Sequence, residues 1–353
     1  MKIGREKRYF LFEGIKVLKS RHWLNGVMSI SKMELIIMLQ LKTTGYKALD
    51  NLRSTGVFPV EWLSMEELKT QADAVVARFL EERFAVSQEL GGGFLAAELV
   101  DRAIRTSEYE VMDQEGVAES ERLALVRALD RQNMMMGLYG RYVDILLPLI
   151  NDVARREQRE VRVLELASGN GGLALALGEE VRRQELRVRI TGSDIVPAFV
   201  EEGNLHALKK RVPVNFQLLN AFNLQEIEKG EFDLVVMSQS LHHFSPGQLA
   251  VIIAQSLQYS SRGFVGIDGY RSVLLAFGVP LIAGLQGFGS FALDGLTSAR
   301  KFYSELELEI IAEVAARGGN YTVACLWPFN VIQVLSTEFL GGRGILENSG
   351  ILM

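Results

Sequence analysis

From residue 161 onward the chain alternates between two hydrophobic periods. "VRVLEL", "RVRITGSD", "VNFQLLN", "FDLVVMSQ" and "GFVGID" are short runs rich in β-branched and aromatic residues, and segments of helical period separate them. This alternation predicts a parallel sheet covered by helices on both faces, with right-handed crossovers. Before residue 155 the pattern is helical throughout. "SMEELKTQADAVVARFLEERF" places Ser64 and Glu67 at the spacing of a capping box, and Leu68, Ala72, Val75, Val76, Phe79 and Leu80 recur on one face. "GGGFLAAELVDRAIR" predicts a second helix. The long run from Ala118 to Asp152 predicts a third, weakened at Gly137 and Gly140 and kinked at Pro148. Farther on, "ARKFYSELELEIIAEVAARGG" predicts a helix closed by glycines, and "YTVACLWPF" with "NVIQVLST" predicts a closing pair of strands joined near Pro328. The expected division is a helical region over 1–155 that roofs a substrate or dimerises, an α/β domain over 156–340, and a mobile tail over 341–353.

Composition changes this picture little. Of 353 residues, 48% are apolar and 23% charged, which fits a folded globular chain. The net charge of −5 gives no basic field for nucleic acid, so nucleic acid is not expected as a partner. Lys2, Arg5, Lys7, Arg8, Lys16, Lys19 and Arg21 make the first residues locally basic, read as a solvated face or arm. A lone cysteine, Cys325, sits in an apolar run and reads as a core residue in a reducing compartment; with no signal-peptide pattern, the expected location is cytoplasmic. Ser272 to Leu293 is uncharged, but its glycines and Pro280 make it a poor helix, so no integral membrane span is expected. A buried connection and an apolar lid both remain open for it.

The chemistry concentrates in "VRVLELASGNGGLALALGEE". A strand ends at Glu165, a glycine-rich turn follows, and a helix begins. Glycines at a strand's carboxyl end let backbone approach a ligand, and the helix N-terminus favours an anionic group. Asp194 ends the next strand, where a carboxylate can accept both hydroxyls of a ribose. Asn220 ends the third, where an amide can meet an adenine edge. Glu165 opposes a pyrophosphate and suits an ammonium. A ligand with a ribose, a base, an amine and a carboxylate satisfies all four, as S-adenosylmethionine does. A dinucleotide fits less well, because the third glycine of its fingerprint would fall at Ala174.

"VLELASGNGG" resembles the first motif of class I S-adenosylmethionine-dependent methyltransferases, with Ala167 in place of the first glycine. "FDLVVMSQSLHHF" resembles that family's fourth strand and following loop, and "GFVGIDGYRS" the fifth strand of its bacterial small-molecule subgroup. "EYEVMDQEGV", "DGLTSARKFYSELEL" and "WPFNVIQVL" extend the resemblance over roughly residues 108 to 340. It implies a Rossmann-like α/β fold, a seven-stranded sheet of order 3-2-1-4-5-7-6 with strand 7 antiparallel. It implies S-adenosyl-L-methionine contacts from Glu165, Ala167, Gly169, Gly171, Asp194, Ile195, Asn220, Ala221 and Ser238. Position 220 is usually aspartate in the family; asparagine keeps an acceptor oxygen and loses the charge.

A methyl acceptor that loses a proton is helped by a base, and neutral imidazole suits that task. His242 and His243, just past the fourth strand, are the catalytic candidates, with His243 preferred. Asp268 and Arg271 end the fifth strand; Arg271 clamps a carboxylate or pairs with Asp268 structurally. Met135 and Tyr139, within a cluster of methionines and tyrosines, contact an apolar substrate or pack in the core. No metal-ligating set is expected. The function expected is methyl transfer, preferably to oxygen, on a small hydrophobic acceptor by a possible homodimer. The alternatives are a methyltransferase-fold binding protein without turnover, a nicotinamide-dependent oxidoreductase and a peripheral membrane enzyme.

Overall fold

Apolar residues line both faces of the central strands, as burial under two helical layers requires. β1 (Val161–Leu166), β2 (Val188–Asp194), β3 (Val214–Leu218), β4 (Phe232–Ser238), β5 (Ser260–Gly269), β6 (Tyr321–Leu326) and β7 (Phe329–Leu335) form one sheet of order 3-2-1-4-5-7-6. β1 to β5 are parallel, and β7 is antiparallel to both β5 and β6. This is the topology that the family resemblance implied, reversed seventh strand included. The computed structural model describes residues 32–285 and 289–336. The basic segment before residue 22 and the tail 341–353 lie outside the described residues.

The helices are α1 (Lys32–Ser54), α2 (Met65–Leu90), α3 (Gly92–Ile104), α4 (Glu119–Met135), α5 (Leu138–Glu157), α6 (Gly172–Arg183), α7 (Pro197–Lys210), α8 (Pro246–Tyr259), α9 (Val273–Leu285), α10 (Gly289–Lys301) and α11 (Glu305–Ala315). Alternate residues of each strand enter different cores. Val163, Leu234, Val236, Val265 and Ile267 pack with α5, α6 and α7. Leu164, Leu166, Val235, Met237 and Phe264 pack with α8, α11 and the N-terminal helices α1 and α2. The helical region therefore shares a core with the sheet. Truncating one of these side chains, as in Leu164→Ala, costs about 2–5 kcal/mol.

Local signals were partly redirected. Ser64 Oγ accepts from Glu67 N, but the Glu67 carboxylate accepts from Leu63 N, one residue early, so only half of the expected capping box forms. The long third helix divides into α4 and α5 at Gly137, which adopts φ 65°, while Pro148 is accommodated inside α5. The uncharged segment forms α9 and α10, packed on each other. Phe277, Leu281 and Leu293 on it are exposed, so it is not a buried connection. Among the described residues no helix is long and apolar enough to cross a membrane. Cys325 is half-buried on the edge strand β6 rather than in the core, and burial pushes its thiol up to about 12.

Three glycines converge on one ring. A Cβ on Gly171 or Gly192 would lie 2.2 Å from the Phe216 ring, and one on Gly203 2.8 Å from it. Phe216 on β3 thus fills the space that the turn after β1, strand β2 and helix α7 leave open.

Candidate active site

A cavity of about 470 Å³ opens where the loops after β1, β2 and β4 meet residues 109–139. Its place follows from topology. β1 lies between β2 and β4, so the chain leaves the sheet centre in opposite directions and a crevice remains at the strands' carboxyl ends.

Glu165 is buried at the end of β1. Ser238 Oγ donates to its Oε1 at 2.9 Å and Ala174 N to its Oε2 at 3.1 Å. Burial pushes its carboxyl up to about 7, against the pull of these hydrogen bonds. An adjacent cation would convert it to carboxylate at neutral pH. Ala167 adopts φ 49°, a left-handed conformation that costs a side-chain-bearing residue about 1–2 kcal/mol. The backbone thus keeps the shape of the glycine turn where glycine is missing.

Asp194 ties the second strand to this turn. Its Oδ2 accepts from Gly169 N at 2.9 Å and its Oδ1 from Val196 N at 3.0 Å. A carboxylate has about four acceptor sites, so capacity for a hydroxyl remains. Glu165, Ala167, Gly169, Asp194, Ile195 and Ser238 all line the cavity, together with Tyr139 and His243.

The remaining expected residues are placed elsewhere. Gly171 does not line the cavity; its missing Cβ makes room for Phe216, a protein side chain rather than a ligand. Likewise a Cβ on Gly172 would meet the Tyr139 hydroxyl at 2.1 Å. Asn220 and Ala221 are also outside the lining: the Asn220 Oδ1 accepts from Phe222 N and so closes a local turn. Phe222 lines the cavity instead, edge to face with Phe244 at 5.3 Å between ring centroids. Met135 is 65% exposed, with Met134 and Met136 also exposed, so the methionines are neither core nor cavity wall, whereas Tyr139 lines the cavity and Tyr142 is buried in the core. The methionines lie at the C-terminal end of α4, whose buried face carries Leu125, Val126 and Ala128.

Asp268 and Arg271 do not pair. Asp268 Oδ2 accepts from His242 N at 3.0 Å and lies 2.7 Å from His242 Nδ1. Arg271 turns away to Asp101 (2.9 Å), Glu307 (2.6 Å) and the carbonyl of Phe302 (2.6 Å). Both are buried and neither reaches the cavity.

The two histidines separate by burial. His242 is enclosed between Asp268 and Glu110; burial disfavours its charged form, but these carboxylates raise its pKa to about 10. His243 faces the cavity, with Nδ1 2.6 Å from Asp113 Oδ2. Glu110 stands 3.2 Å from His242 Nε2 and 3.8 Å from His243 Nε2. Burial would raise the Glu110 carboxyl, yet the imidazoles overcome it and hold it near 2. Glu110 and Asp113, with the wall residues Tyr109 and Met112, come from the segment "EYEVMDQEGV". That segment was noticed for its family resemblance, but none of its residues was singled out. A carboxylate in a loop carries no local sign of the histidine it will meet.

Residues 163–261 match the model of a methyltransferase domain. A curated relative, the ubiquinone biosynthesis O-methyltransferase of Nitrosococcus oceani, is 28% identical over 104 residues, which are 29% of this chain and 42% of that protein. The chain thus matches less than half the length of that relative. Among solved structures, a plantazolicin methyltransferase in complex with SAH aligns with 67% of this chain and 95% of its own at 11% identity and a TM-score of 0.48. The magnesium protoporphyrin IX methyltransferase of Synechocystis PCC 6803 with bound SAM aligns with 64% of this chain and 88% of its own, at 13% identity and a TM-score of 0.39. The domain match and the sheet order agree: residues 163–261 match a methyltransferase domain, and the strand order is the one expected of class I S-adenosylmethionine-dependent methyltransferases. S-adenosylmethionine is the cofactor of that class, and the residues at the crevice fit it. Among the described residues Glu165 is a buried carboxyl with no cationic partner, Asp194 has spare acceptor capacity, and Phe222 offers an aromatic wall.

Proposed function

We propose that the protein methylates an oxygen of a small hydrophobic molecule. When bound, S-adenosylmethionine supplies an electrophilic methyl carbon on a sulfonium. Glu165 and Asp194 would hold its charged and hydroxyl groups at the strand ends. The acceptor would sit under residues 109–139, whose Tyr109, Met112, Val126 and Leu129 give the cavity an apolar wall. The one observation that carries the reading is the His243–Asp113 pair on the cavity wall. With Nδ1–H donating to Asp113, Nε2 presents a lone pair that can take the proton of a phenol or carboxylic acid. The Asp113 carboxylate then stabilises the imidazolium, as in other carboxylate-oriented histidine bases.

The test is turnover with S-adenosylmethionine across a panel of phenols, hydroquinones, lipid acids and amines. We expect methyl ethers or esters from apolar hydroxyl and carboxyl compounds. Products only from amines, tRNA or protein would refute the reading. Binding of S-adenosylmethionine without any turnover would favour a binding protein of the same fold.

A further inference from the structure

His242 and His243 are arranged alike. Each has its Nδ1 within 2.7 Å of a carboxylate, Asp268 for the first and Asp113 for the second. Each therefore directs its Nε2 to one acid, Glu110, and the ligand atoms of these three residues all lie within 4.8 Å of one another. Glu110 Oε1 and His242 Nε2 are buried 3.2 Å apart, and among the described residues neither has a well-aligned hydrogen bond; without an ion between them they face each other as an ion pair. Buried polar atoms left without a partner are rare, and an unplaced ion is one of their explanations. Carboxylate–imidazole pairs that fix the tautomer and orient Nε2 are the usual support of a metal-bound histidine. Ligand atoms about 2.0–2.2 Å from a tetrahedral metal stand roughly 3.3–3.6 Å apart; the two imidazole Nε2 atoms stand 3.2 and 3.8 Å from the two oxygens of Glu110, so a small inward shift would complete the site.

We propose that Glu110, His242 and His243 bind one borderline divalent transition ion of the Zn²⁺ type. Two imidazoles and one carboxylate favour such an ion over Mg²⁺ or Ca²⁺, which prefer all-oxygen sets. Three protein ligands leave a fourth position open, as in catalytic zinc sites. Because His243 lines the cavity, an acceptor oxygen can reach that position. The surrounding charge is compatible. Glu110, Asp113 and Asp268 contribute three negative charges, and Lys301, 3.8 Å from Glu110, contributes one positive. A divalent ion that displaces the His242 proton, leaving two neutral imidazoles, balances these four groups. Asp294 lies behind, bonded to Val111 N, and its carboxyl is raised by burial.

The ion and a proton compete for the same His243 lone pair, so this inference deepens the methyltransferase reading by replacing its base with a Lewis-acidic site. The full-length protein, stripped with a chelator, is titrated with Zn²⁺, Mn²⁺ and Co²⁺ by calorimetry, and Co²⁺ binding is followed by visible absorption. We expect one equivalent of Zn²⁺ and a Co²⁺ spectrum of low coordination number. His243→Ala and Glu110→Gln should each weaken binding by about 10–100-fold or more. Should Glu110→Gln fail to fold, Asp113→Asn at the partly exposed edge of the cluster gives the same readout. Absence of saturable binding, or binding indifferent to these variants, overturns the proposal. S-adenosylmethionine binding to the stripped protein is measured separately. Cofactor binding without metal binding sinks only the metal site, and metal binding without cofactor binding sinks only the methyltransferase reading.

Discussion

Two networks of charge in this chain, one buried and one opening on the cavity, contrast in how completely their groups are matched. In the first, Arg83 bonds to Glu98 and Asp101, while Arg271 bonds to Asp101 and Glu307. It joins α2, α3 and α11 to the segment after β5. In the second, Glu110, Asp113 and Asp268 surround His242 and His243 at the cavity edge. The difference lies in the cations. A guanidinium is a rigid fork of five donors that can serve two carboxylates at once. An imidazole has two ring atoms, and once Nδ1 is engaged a single Nε2 remains. The arginine network closes around its acids and holds elements together. The histidine network leaves Nε2 atoms for a proton, an ion or a substrate.

The largest effect is expected from breaking the closed network. Arg271→Met would leave Asp101 and Glu307 buried without one of their cations and should lower stability by about 3–5 kcal/mol in denaturant unfolding. A loss below about 1 kcal/mol would mean that water or Arg83 and Arg105 already compensate. The same network predicts acid sensitivity. Burial would raise the Glu307 carboxyl, but Arg271 above all holds it near 2, below its ordinary 4.5. The stabilisation is therefore fully present above about 4.5 and is lost as pH falls toward 2. Unfolding curves across that range should show the loss in the native protein and much less of it in Arg271→Met.

Opening the second network should do the reverse. His243→Asn is expected to reduce turnover by about 100–10,000-fold while leaving stability nearly unchanged. Turnover within a few-fold of the native rate would remove His243 from the chemistry.

Glu165 stands between the two regimes, buried and hydrogen-bonded but without a cation. Its carboxyl sits at about 7 in the unliganded protein, and a bound ammonium would lower it. Binding therefore releases a proton. Affinity for S-adenosylmethionine should be level above about pH 7 and fall up to about tenfold per unit below it, until the pKa of the bound state is reached. Calorimetry over pH 5.5–8.5 reads this at about those limits. Glu165→Gln should bind more weakly and lose this pH dependence; an unchanged profile would place the titrating group elsewhere. The smallest effect belongs to neither network. Ala167→Gly should add up to about 1 kcal/mol of stability, the relief of the left-handed backbone at φ 49° outweighing the loss of a methyl group packed against the core. Thermal melting checks it, and a loss of stability would show that the methyl group packs usefully.

The strand order was expected only from the family resemblance; the alternation of strands and helices was legible because hydrophobic period is local and repetitive. The turn after β1 and the acid at the end of β2 were legible for the same reason. The pairings around the site were not. Asp268 and Arg271 are three residues apart, which suggested a pair, yet one turns to His242 and the other to Asp101 and Glu307. Nearness along the chain says little where the chain leaves a strand. Glu110 and Asp113 reach the histidines across about 130 residues of sequence, a contact that only the folded chain creates. The methionine run was misread because its composition suits an apolar pocket while its position on α4 faces outward.

The Phe216 ring has a consequence for how this sequence can vary. Gly171, Gly192 and Gly203 are 32 residues apart at most, and each looks like a separate demand for glycine. They are better regarded as one cast around a single phenyl group. A smaller aliphatic residue at 216 would loosen the demand at Gly192 and Gly203, where the backbone needs no left-handed turn, but not at Gly171, which keeps φ 88°. Substitutions at positions 192, 203 and 216 should therefore be tolerated in combination where they fail singly, while Gly171 stays fixed.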